Sequence, residues 1–182
     1  RSELVYGGEQ PAREVERQAA RRGIHLKSFS EYQGLIDFRS YLELQTQRLD
    51  EDKIYPHTLY VPQRLVYSVG ARERREEEAL DSLLDWLSSP EGRFVLLLGD
   101  FGTGKTFLLH ELARKLGTDS GPVVPVLIEM RNLEKAASLD VLLAQHMALA
   151  KMERFDLAAF RYMLSEGRIA LLFDGFDELA LR

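Results

Sequence analysis

The stretch Gly99-Asp100-Phe101-Gly102-Thr103-Gly104-Lys105-Thr106 constrains the fold more than any other feature of the chain. It matches G-x-x-x-x-G-K-[ST] at every fixed position, between an apolar run, Phe94 to Leu98, and a helical pattern from Lys105 to Leu116. The glycines permit a tight turn that points successive N–H groups into a concavity. The helix that begins near Gly104 adds its positive end, so a polyphosphate meets donors already aimed at it. Lys105 is placed to reach the β and γ phosphates, and Thr106 to offer a hydroxyl to the accompanying magnesium ion. A glycine-rich turn that only joins a strand to a helix is the competing reading, and the strand and helix on either side count against it.

A second feature lies downstream. Ile169-Ala170-Leu171-Leu172-Phe173 reads as a buried strand and runs into Asp174-Gly175-Phe176-Asp177-Glu178, three carboxylates within five residues. In a parallel sheet, ligands bind beyond the carboxyl ends of the strands, where both this segment and the glycine-rich loop emerge. Asp174, first after the strand, is placed to hold Mg²⁺ directly or through water. Asp177 and Glu178 lie further out, where one of them can orient and deprotonate a water attacking the γ phosphate. An acidic helix start is the plainer alternative, and it loses ground once the phosphate loop is set beside it.

From residue 91 onward, short apolar strands alternate with helices, which predicts an α/β domain with a parallel sheet flanked by helices. Strands are expected at Phe94 to Leu98, Val123 to Glu129 and Arg168 to Phe173, and helices at Lys105 to Leu116, Leu139 to Lys151 and Asp156 to Ser165. Residues 51–90 read as a linker and lead-in helix. Tyr55-Pro56 and Val61-Pro62 force extended backbone, and a charged helix is expected over Arg72 to Leu87 with Arg72/Glu76 and Arg74/Glu78 four apart. Residues 1–50 form a smaller α/β or helical segment. It has a strand around Leu4 to Tyr6, a helix opening at Pro11, a strand at Ile24 to Lys27 after Gly23, and a helical pattern from Asp37 to Leu49.

Composition narrows the partners. Apolar residues at 45% suffice for a core, and a net charge of −5 with both signs interspersed gives no long-range attraction to nucleic acid or anionic membrane. No apolar run approaches the about 20 residues a membrane-spanning helix needs. The lack of cysteine excludes disulfides and suits a reducing compartment, so a cytoplasmic location is expected. The four histidines, His25, His57, His110 and His146, show no metal-ligand spacing. Arg1 in place of an initiator Met, with no apolar signal segment after it, suggests a piece of a longer chain.

These residues together resemble the NACHT domains, phosphate-loop nucleoside triphosphatases among the signal-transduction ATPases with numerous domains. The resemblance rests on Gly99 to Thr106, on Val124-Pro125-Val126-Leu127-Ile128-Glu129-Met130-Arg131-Asn132-Leu133, and most specifically on Gly167 to Leu179, where a small residue follows the first Asp and an Asp-Glu pair comes after it. It covers about residues 59 to 182, including Tyr60-Val61-Pro62, similar to a lead-in of these domains. Residues 91–182 would then be the N-terminal part of the nucleotide-binding domain, ending after the Walker B strand. A later strand, expected to lie between the two motif strands, falls outside the chain. The resemblance implies ATP or GTP held by the loop from Gly99 to Thr106 and Phe107, metal at Thr106 and Asp174, and catalysis by Lys105 with Asp177 or Glu178. It also implies open and closed states that control self-oligomerisation and a fused effector. Arg131 reads as an exposed or salt-bridged residue rather than a sensor. The pattern Ala19 to Leu26 faintly resembles the closing portion of restriction-endonuclease-like domains, whose catalytic residues would lie upstream of Arg1.

Three functions compete at this point. The first is an ATP-hydrolysing signalling switch, and the second a nucleotide-gated scaffold with little turnover. The third is an AAA+-like ATPase acting on DNA, which needs a basic surface this segment does not advertise.

Overall fold

The computed structural model describes residues 2–7, 11–69, 72–76, 78–87, 89, 94–118, 121, 123–130, 138–152 and 155–175. At the N-terminus, strand β1 (Ser2–Tyr6), helix α1 (Arg13–Arg21) and strand β2 (Ile24–Ser28) form a parallel β-α-β unit with Ser2 opposite Ile24 and Tyr6 opposite Ser28. Helix α1 begins two residues after Pro11 and ends at Arg21, and Gly23, at φ +69°, turns the chain into β2. Ser28 and Glu31 then form a reciprocal capping box on the single turn α2 (Phe29–Tyr32), the Ser28 Oγ accepting from Glu31 N at 3.1 Å and the Glu31 carboxylate accepting from Ser28 N at 2.8 Å.

Helix α3 (Arg39–Asp50) buries Tyr41, Gln45 and Leu49, one residue per turn along a single stripe. An extended strap with one 3₁₀ turn at His57–Leu59 leads to strands β3 (Leu65–Val69) and β4 (Arg72–Glu76), an antiparallel hairpin, and then to helix α4 (Ala79–Leu87). The long helix expected over residues 72–87 is therefore corrected. Its first third is a strand, and only Ala79–Leu87 is helical. The charge spacing that suggested a helix is equally compatible with a strand, and the β-forming run Val66-Tyr67-Ser68-Val69 supplies a partner to pair with. Tyr67 packs edge-on against Trp86 at 4.9 Å, tying hairpin to helix.

Helix α5 (Lys105–Thr118), strand β5 (Val124–Glu129), helices α6 (Leu139–Leu149) and α7 (Leu157–Ser165) and strand β6 (Ile169–Asp174) follow in the alternation expected. Ser138 caps α6 by accepting from Val141 N, and Asp156 caps α7 by accepting from Ala158 N and Ala159 N. Strands β5 and β6 are parallel, with Val124 opposite Ile169 and Glu129 opposite Asp174.

The pleat of this pair divides the core in two. Val126, Ile128 and Ile169 face one way and pack with Ile36, Phe38 and Tyr41 and with Leu143, Met147, Phe160 and Met163 of α6 and α7. Leu127, Ala170 and Leu172 face the other way, against Leu49, Ala79 and Leu83 and against Leu108, Leu112 and Ala113 of α5. The result is an α/β fold with helices on both faces of a parallel sheet.

One expected strand is not formed. Residues 94–98 have no ladder partner among the described residues, and Phe94 and Leu98 are 85% and 83% exposed. Apolar, β-forming sequence is not sufficient for a strand, because the extended backbone leaves its N–H and C=O groups unsatisfied until a neighbour pairs with them.

Candidate functional site

The pleat also decides where the acidic strand end points. Asp174 shares its face with Ala170 and Leu172, the face that α5 covers, and is only 7% exposed. Thr106, in the first turn of α5, donates its hydroxyl to Asp174 Oδ1 at 3.0 Å. Two motifs 68 residues apart in sequence thus meet through one hydrogen bond. One turn along the helix, His110 lies 3.4 Å from Glu129 Oε1, and Glu129 is the register partner of Asp174. Residues four apart on α5 therefore face the ends of neighbouring strands.

The loop that precedes α5 is turned tightly on itself. Gly102 and Gly104 adopt φ +80° and +85°, open to glycine and strained for other residues, and a Cβ on Gly99 would lie 2.9 Å from Thr103 Oγ1. Thr103 donates through its hydroxyl to Asp100 O at 2.8 Å. The Lys105 ammonium folds over the loop and donates to Gly99 O at 2.6 Å and Asp100 O at 3.0 Å. Phe101 at the tip is fully exposed, and Phe107 packs inward against Tyr55, with ring centroids 5.3 Å apart.

The donor set suits magnesium. Thr106 and Asp174 offer two hard oxygen atoms side by side, and a magnesium ion that travels with a nucleotide is held by one or two protein oxygens, with phosphate and water completing the octahedron. Among the described residues no group of three or more His, Cys, Asp or Glu is arranged to hold a metal by itself. Asp177, Glu178 and Arg131 lie outside the described residues.

The strap between α3 and β3 runs along α5, which the sequence did not reveal. Tyr60 packs on Phe107 at 6.2 Å and Tyr55 packs edge-on against His110 at 5.2 Å. His110 is buried between Asp52 and Glu129, at 3.6 and 3.4 Å, with neither ring nitrogen in hydrogen-bonding geometry. His57 and Arg114 both reach Glu111. Burial pushes the Glu111 carboxyl up, but the hydrogen bonds from Arg114 and His57 outweigh it and hold the group below the usual carboxylate range. Gln63, at the end of the strap, donates through Nε2 to the carbonyl of Gly104 at 3.2 Å. No periodicity or motif marks Gln63. The only hint is its place directly after Val61-Pro62. A separate concavity lies at the far end of α5, between Leu42, Thr46, Asp50, Gly117 and Thr118.

Comparison with known proteins agrees with this layout. Residues 93–181 match the family model described as the NACHT domain, and residues 1–38 match one described as NACHT-associated inactive Restriction Endonuclease 2. An uncharacterized WD repeat-containing protein of Nostoc sp. is 31% identical over 123 residues, covering 62% of this chain and 8% of that protein. Protein NLRC5 of the fish Ictalurus punctatus is 32% identical over 120 residues, 58% of this chain and 6% of its own length. The chain thus spans less than about a tenth of either relative. No solved structure matches it significantly.

Proposed function

Because the chain belongs, through residues 93–181, to the NACHT family of phosphate-loop nucleoside triphosphatases, we propose that it is the nucleotide-sensing part of an ATP-driven signalling switch. The observation that supports this reading is the hydrogen bond between Thr106 and Asp174, which brings two hard oxygens suited to magnesium together at the start of the helix that follows the glycine-rich loop. Lys105, released from the Gly99 and Asp100 carbonyls, reaches the β and γ phosphates. Gly99 to Phe107 cradle the triphosphate, and Asp177 or Glu178 takes the proton of the attacking water. When bound, magnesium neutralises charge on the β and γ oxygens.

In the whole protein, hydrolysis resets a state that governs self-association and an effector. Residues 1–50 belong to an effector-like domain without nuclease chemistry, a reading supported by the family description of residues 1–38. Residues 51–90 link it to the nucleotide-binding domain at 91–182. A cytoplasmic location accords with the absence of cysteine. Among the described residues, no helix is long and apolar enough to cross a membrane.

Equilibrium binding of Mg·ATP, Mg·ADP and Mg·GTP to the full-length protein tests the reading. Lys105→Ala is expected to weaken triphosphate binding at least about tenfold, the loss of a charge-assisted contact. In the same protein, Asp177→Asn with Glu178→Gln should abolish phosphate release while binding persists. Signalling output that survives this double change would favour a nucleotide-gated scaffold over a turnover-driven switch.

A further inference from the structure

The strap's last contact falls on the peptide unit that begins the phosphate-binding helix. The carbonyl of Gly104 accepts the first helical hydrogen bond of α5, from Leu108 N at 2.9 Å, and a second from Gln63 Nε2 at 3.2 Å. Gln63 also anchors α4, its own carbonyl accepting from Ala79 N at 2.9 Å. The approach is close enough that a Cβ on Gly104 would lie 2.5 Å from Gln63 Nε2. The amide's orientation follows from this contact, since the carbonyl can only be met by the NH₂ end. The other end, Oε1, is buried and has no partner among the described residues. Gln63 is therefore held to the loop through its donor alone.

In a trans peptide the C=O and N–H point in opposite directions across one plane. Fixing the Gly104 carbonyl toward Gln63 therefore fixes the Lys105 N–H in the opposite direction, away from the strap. At φ +85°, Gly104 has no side chain to restrain that plane, which is held by the helical bond from Leu108 and, from the strap, by Gln63.

We propose that Gln63 is a positioning residue of the phosphate loop: by holding the Gly104 carbonyl, it aims the Lys105 N–H at the bound phosphates and ties nucleotide affinity to the position of the strap. This rests on the nucleotide-binding reading above. Tyr55, Tyr60 and His57 pack the same strap along α5, so a displacement of the segment that leads back to residues 1–50 reaches the phosphate loop through Gln63.

The test is the affinity of the full-length protein for a fluorescent Mg·ATP analogue, for wild type, Gln63→Leu, Gln63→Glu and Lys105→Ala, at pH 7.5 and pH 5.5. Gln63→Leu keeps the shape and removes the donor, and it should weaken binding about fivefold at both pH values. Gln63→Glu should weaken it about tenfold or more at pH 7.5, where a carboxylate opposes both carbonyl and phosphate. Its ratio to wild type should recover toward that of a donor at pH 5.5, as the raised-pKa carboxyl takes up a proton and donates again. A residue that only packs the strap would tolerate Gln63→Leu, which keeps the packed shape, and would leave binding within twofold of wild type. If Gln63→Leu binds within twofold of wild type while Lys105→Ala abolishes binding, the positioning role is wrong and the nucleotide site stands. Wild-type binding that is absent, or indifferent to Lys105→Ala, removes both readings together.

Discussion

Residues 169–174 and residues 94–98 are similar in composition and opposite in fate. Ile169, Ala170 and Leu172 are buried in a paired strand, whereas Phe94, Leu96 and Leu98 are each more than 60% exposed. The difference is what each backbone can bond to. Strand β6 pairs with β5 along its whole length, and the far edge of β5 is closed by a side chain. Gln45 accepts from Leu127 N and donates to Pro125 O, both at 3.0 Å, so one amide does for β5 what a neighbouring strand would do. Gln45 is in turn held by the Tyr41 hydroxyl at 2.8 Å, and that hydroxyl lies 2.8 Å from His146 Nε2. With Tyr41 donating to Gln45, His146 donates its Nε2–H to Tyr41. Residues 94–98 have no such partner among the described residues. A strand's apolar sequence thus decides what it buries once paired, and pairing decides whether it is a strand.

Three experiments sharpen the contrast. Phe160→Ala, which empties a fully buried site beneath β5 and β6, should cost about 3–5 kcal/mol in chemical denaturation, against less than about 0.5 kcal/mol for Leu98→Ala in the same chain. An equal cost at the two positions would mean that 94–98 is paired in solution.

Acid titration probes the closed edge. Burial pushes the His146 imidazole down to about 4, below its ordinary value. Because the folded value is depressed, the stabilisation is complete above about pH 6.5 and is lost as pH falls from there to about 4, up to about 3 kcal/mol. Denaturation midpoints across that window should slope in wild type and flatten in His146→Gln. A wild-type profile that is already flat would remove His146 from the network.

The smallest of the three effects is Gln45→Leu. It should cost about 2 kcal/mol by leaving the Leu127 N–H and Pro125 C=O without partners, and amide exchange at Leu127 should accelerate. Unchanged exchange would show that another group closes that edge.

Much of the site was legible in the sequence. The loop from Gly99 to Thr106, the helix after it, and strands ending near Glu129 and Asp174 all follow from patterns in consecutive residues. Backbone geometry makes such patterns local, since positive-φ glycines, helix caps and strand runs need no distant partner to be recognised. Residues 72–76 read as a helix because opposite charges four apart suit one, but a strand accommodates the same residues, and pairing with β3 decides between them.

The sequence by itself determined the alternation of elements from α5 to β6, the glycine-rich loop and the acidic residue that ends β6. Tertiary structure alone decided which strands pair and which face of β6 Asp174 takes toward Thr106. It also brought Gln63 to Gly104, Gln45 to Leu127 and Tyr41 to His146 across separations of 41, 82 and 105 residues. A single side-chain hydrogen bond has no period and no local signature. It exists only where packing brings a buried donor to an acceptor that would otherwise go without one.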